Sequence, residues 1–120
     1  MKDITTREDL YILMSRFYQK LLNDSRVNFI FIEVAKIDIE DHLETITNFW
    51  DQIIFLRGGY KNNVLQIHQN LHQKFPFKKE HFDIWLQYFN ETIDENFKGE
   101  NSEICKTKAL SIATVMQIKI

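Results

Sequence analysis

Proline and glycine are scarce in this 120-residue chain, one and three respectively, so few positions can break a helix or force a left-handed turn. A single cysteine, Cys105, excludes an internal disulfide and reads as a small buried apolar residue rather than a nucleophile. No dense basic run occurs, Lys78-Lys79 being too short, and the net charge of -2 removes the electrostatic footprint of a nucleic-acid binder. No apolar stretch approaches the roughly 20 residues that a membrane-crossing helix requires. The polar start Met1-Lys2-Asp3 is unlike a secretory signal. The expectation is a cytoplasmic monomer with neither nucleic acid nor membrane as a partner.

Hydrophobic residues make up 44% of the chain, enough for one core, and a single domain over residues 1–120 is expected. Ten phenylalanines are more aromatic bulk than a small helical core needs, and the surplus can line a cavity. Apolar residues recur at helical spacing almost throughout, which predicts an all-α fold. Thr5-Thr6-Arg7-Glu8 matches a capping box, and the helix after it carries Leu10, Leu13, Met14, Phe17, Tyr18 and Leu21 on one face. The run Val27 to Val34 could be a strand by pattern, but it has no partner strand, so a short helical corner is expected. Asp38 caps a long helix whose apolar face includes Leu43, Ile46, Phe49, Trp50 and Ile53 and runs towards Gly58-Gly59. A short, weakly capped helix over 62–73 ends at Phe75-Pro76-Phe77. A further helix over 79–97 should bury Phe82, Trp85, Leu86 and Phe89, and the last carries Cys105, Ala109, Ile112, Ala113 and Met116 inward.

His68 sits on the short helix between two aromatic-rich helices, where an imidazole can offer a lone pair to iron while a backbone carbonyl holds its other nitrogen. A lone histidine on such a helix is ordinarily a surface or core-edge residue, and it is the aromatic surroundings that favour the donor. His68 and His72, four apart, could share a transition metal with Glu80-His81, but no cysteine pair or His-Glu-x-x-His run completes such a set. Tyr18 and Trp85 carry polar tips on apolar faces; each needs a partner, either a backbone carbonyl, the commoner case, or a small ligand. Trp50 reads as core. His42, one turn before Ile46, is either a gate at a pocket mouth or an exposed side chain.

Phe17-Tyr18, His42 with Asn48-Phe49-Trp50, Tyr60, His68 followed by Leu71-His72, and His81-Phe82-Asp83-Ile84-Trp85-Leu86 occur in an order and spacing that resembles the third group of truncated haemoglobins over nearly the whole chain. The resemblance implies a globin-like, two-over-two helical sandwich enclosing haem b, with His68 as proximal iron ligand. It makes Tyr18 and Trp85 distal donors, His42 a distal gate and Ile46 a wall above the iron. Phe17, Phe49 and Phe82 become haem-packing residues. His72, Arg57 and Lys61 are candidates for the propionate edge. Lys61-Asn62-Asn63-Val64 departs from the glycine and proline that relatives often carry there.

The function so implied is reversible binding of dioxygen, nitric oxide, carbon monoxide or peroxide, which suits oxygen transport. It extends to nitric oxide dioxygenase or peroxidase-like turnover, for which a separate reductase is needed. The competing expectation is a haem-free globin-like interaction or sensor module.

Overall fold

A computed structural model describes residues 1–57 and 63–119, and every regular element among them is helical. The helices are α1 (Arg7–Leu22), α2 (Ile39–Phe55), α3 (Val64–Lys74), α4 (Lys79–Asn96) and α5 (Glu100–Lys119), with a π-helical turn over Ile30–Val34. That turn is the helical corner expected of the apolar run before α2. No described helix is long and apolar enough to cross a membrane.

The apolar stripe of α1 is buried in full, from Leu10 to Leu21, because α1 packs against both α2 and α4. Helix α4 then packs on α5, whose Ala109 and Ala113 are buried. Cys105 is buried beside them, and burial pushes its thiol up to about 12, so it stays protonated. Aromatic rings fill the space between helices. Trp50 of α2 stacks on Phe89 of α4 at 5.0 Å, and Phe89 stacks on Trp85 at 5.4 Å, with Phe17 edge-on to both α4 rings.

Helix starts are set by side chains that accept from free backbone N–H groups. The capping box of α1 lies one residue later than the sequence pattern suggests. The Asp9 amide donates to the Thr6 hydroxyl at 3.1 Å, and the Thr6 amide donates to the Asp9 carboxylate at 3.2 Å. Asp9 wins over Glu8 because it also receives the Thr5 amide and the Lys2 ammonium, at 2.9 and 2.6 Å. Asp3 caps α5 from a distance, accepting from the amides of Asn101 and Ser102 and from the Ser102 hydroxyl. Gly99 makes this approach possible, since at φ 152° a Cβ there would collide with the Asp3 side chain. The start of α2 is capped by Asp38 as expected. Its end comes at Leu56, in the left-handed region at φ 57°, ahead of Gly58-Gly59, which lie outside the described residues.

Helix α3 differs from the others. Asn63 caps it by accepting from the Gln66 amide at 3.0 Å, a better start than the sequence suggested, yet none of its residues is buried.

Burial pushes the Asp9 carboxyl up, but the Lys2 ammonium and the Thr5 and Thr6 amides outweigh it and hold the pKa at about 2, below the ordinary 3.8. A depressed carboxylate stabilises the fold fully above its unfolded pKa, and that contribution is lost as pH falls through the folded value. Asp9→Asn is expected to cost about 1–3 kcal/mol at pH 7. The difference from wild type should shrink as the pH approaches 2 in denaturant unfolding; an equal difference at both pH values would contradict the assignment.

Candidate functional site

Helices α1, α2, α3 and α4 surround a cavity of about 390 Å³, closed at one end by α5. Its wall is mostly apolar. Phe17 and Tyr18 enter from α1, His42, Ile46, Phe49 and Trp50 from α2, His68 from α3, and Phe82 and Trp85 from α4. Phe82, Trp85 and Leu86 are only half-buried where full burial was expected, and for Phe82 and Trp85 the reason is that they border the cavity. The apolar face of α3 behaves in the same way: Val64, Ile67 and Leu71 line the cavity.

His68 is the metal donor best placed by chemistry. Its Nδ1 lies 2.7 Å from the Val64 carbonyl oxygen, which can only accept, so Nδ1 carries the proton and the Nε2 lone pair is left free. Burial lowers its pKa despite the opposing Val64 contact, which keeps the ring neutral and able to coordinate. Among the described residues no three His, Cys, Asp or Glu side chains converge on a metal ion. One imidazole in an apolar cavity fits a metal that arrives with its other donors already supplied, and a porphyrin does this with its four nitrogens.

Across the cavity, Tyr18 Oη and His42 Nε2 are 2.8 Å apart. Burial pushes the phenol well above its ordinary pKa, so Tyr18 always retains an O–H to donate. Burial lowers the His42 pKa, and positive charge on His68, were that ring protonated, would lower it further, so the His42 ring is kept neutral too. The sequence alone favoured a backbone carbonyl as partner of Tyr18, and the partner is His42 instead. The Trp85 indole N–H has no hydrogen-bond partner among the described residues, and its ring is fixed between Phe17 and Phe89.

The candidates for the charged edge are placed differently. Arg57 forms an ion pair with Asp51 at 2.7 Å, lies over the Phe55 ring and is not among the cavity-lining residues. His72 is also absent from the lining and accepts from the Phe77 amide through Nδ1 at 2.9 Å, holding the turn after α3. Lys61 and Tyr60 lie outside the described residues. Among the wall residues that had no site role in the sequence, Phe31 meets the Tyr18 ring edge-on at 5.5 Å, and Trp50 and Phe77 add further rings, while His81, weighed in the sequence only as a metal ligand beside Glu80, also lines the cavity. The aromatic run Phe29-Ile30-Phe31 was the available signal for the first, since its surplus of rings exceeds what a corner needs.

No family model matches the chain. It is 30% identical over 114 residues to the group 3 truncated hemoglobin ctb of Campylobacter jejuni, an alignment covering 92% of this chain and 87% of that protein. The crystal structure of group III truncated hemoglobin from Campylobacter jejuni superposes with a TM-score of 0.86 and 30% identity, covering 98% of this chain and 93% of that one.

Bonds to backbone groups fix which ring nitrogen of His68, His72 and His81 carries the proton in the neutral ring. In nitrogen-15 NMR spectra of the ligand-free protein, His68, whose pKa burial lowers, is expected as the neutral Nδ1–H tautomer. His72, whose Nδ1 accepts from a backbone amide, is expected as Nε2–H. A His68 ring protonated on Nε2 would remove the free lone pair from the site.

Proposed function

The chain belongs to the group 3 truncated haemoglobins, and on that footing we propose that it holds one haem b in the cavity, with His68 as axial ligand, and reversibly binds dioxygen and other diatomic ligands. The observation that carries this reading is the His68–Val64 hydrogen bond, which commits Nδ1 and leaves Nε2 with a lone pair suited to iron. Haem, when bound, supplies reversible ligand coordination and one-electron chemistry. Phe17, Ile46, Phe49 and Phe82 supply flat apolar surface for its faces and keep water out.

On the distal side the chain offers two donors. If His42 donates from Nε2 to the Tyr18 oxygen, the Tyr18 O–H is released to point at a ligand that has gained negative charge, and the two bonds polarise each other. The Trp85 indole N–H adds a second, independent donor whose direction is held by stacking. Such donors slow ligand escape. They also suit nitric oxide or peroxide chemistry at the same cavity, for which electrons come from a separate reductase.

The test begins with a haem titration, in which one equivalent per chain is expected. Tyr18→Phe and Trp85→Phe should each raise the dioxygen dissociation rate about tenfold or more, since a hydrogen bond to a charged group contributes roughly 1.5–3 kcal/mol. Stopped-flow rates unchanged in both variants would contradict the distal-donor roles.

A further inference from the structure

A porphyrin that carries carboxylates into an apolar cavity brings charges that need donors or water, because an unpaired buried carboxylate is costly. Arg57, the strongest candidate by sequence, is already paired with Asp51, whose side chain is largely buried. On the cavity wall Tyr18 and His42 are bonded to each other, and Thr45 donates its hydroxyl to the Asp41 carbonyl. His81 is left. It lines the cavity from the first turn of α4, next to Phe82, and its Nδ1 accepts the Lys78 amide at 3.0 Å. In the neutral ring the proton is therefore on Nε2, which has no partner among the described residues.

We propose that His81 is the carboxylate-binding residue of this cavity, its Nε2–H donating to one carboxylate of the porphyrin. The inference rests on the haem reading above and names a contact that neither that reading nor the sequence assigned. The Nδ1 bond to the backbone orients the ring, and Phe75 packs against it at 5.8 Å, so the donor is held in place before the ligand arrives. Lys78 and Glu80, both exposed, flank the ring with opposite charges that offset each other and are screened by solvent, so the Nε2–H itself is the recognising group.

The experiment compares the affinity of the full chain for iron protoporphyrin IX and for its dimethyl ester, which keeps the ring and the iron but lacks the charges. Wild type should prefer the diacid by roughly tenfold or more, as expected of a charge-assisted hydrogen bond. His81→Leu should lose most of that preference. His81→Asp keeps an acceptor for the Lys78 amide, and with it the start of α4, but opposes a carboxylate, so it should favour the ester; circular dichroism confirms the fold of both. A preference that survives both substitutions, or that disappears only in Arg57→Gln, overturns the assignment to His81. Absence of a Soret band with either porphyrin is a different result, since it overturns the haem reading itself.

Discussion

Helix α3 has an apolar face that the described helices leave uncovered towards the cavity. Its residues Val64, Ile67 and Leu71 face the cavity, none of its residues is buried, and the helix is held in place by its Asn63 cap and by neighbouring turns. The other four helices form a packed frame that closes on itself through the Trp50, Phe89 and Trp85 stack. An apolar ligand entering the cavity would bury the exposed face of α3 and gain the hydrophobic stabilisation that the chain alone leaves unrealised. Ligand burial and the packing of α3 are therefore coupled, because the same apolar contacts serve both.

The histidines on the cavity wall follow one rule: each has one ring nitrogen committed to a partner, and the commitment decides what remains. Val64 takes the His68 Nδ1 proton, leaving a lone pair, while Lys78 donates to the His81 Nδ1, leaving a proton. The two imidazoles thus present opposite chemistry to the same cavity, one as donor of electrons to a metal and one as donor of a proton to an acceptor. Burial keeps the surrounding groups neutral, with the His42 and His68 pKa values lowered and that of Tyr18 raised. A neutral wall lets a bound ligand's own charge determine which hydrogen bonds form.

The frame helices were legible in the sequence because their apolar residues keep a period near 3.6 and because proline and glycine are too few to interrupt it. Tyr18, His42, His68 and Trp85 were legible as site residues only in combination, since each alone has a commoner structural role. What escaped was tertiary and local at once. The Asp51–Arg57 pair diverts a cation that looked available, and nothing in the spacing reveals that an aspartate six residues earlier would turn towards it. His81 was weighed only as a metal ligand, because its partner is a backbone amide, which has no sequence signature. The capping box slipped by one residue for a similar reason: Lys2, outside the pattern, selects Asp9 over Glu8.

The most direct measurement is the ultraviolet-visible spectrum of the haem-reconstituted protein in ferric, ferrous and carbon monoxide states, beside His68→Gly with and without added imidazole. The account predicts a Soret band in wild type, its loss or strong alteration in the variant, and recovery when imidazole refills the vacated position. A folded wild type without haem absorbance, or a variant whose spectra match wild type, would contradict the assignment of His68 as the iron ligand.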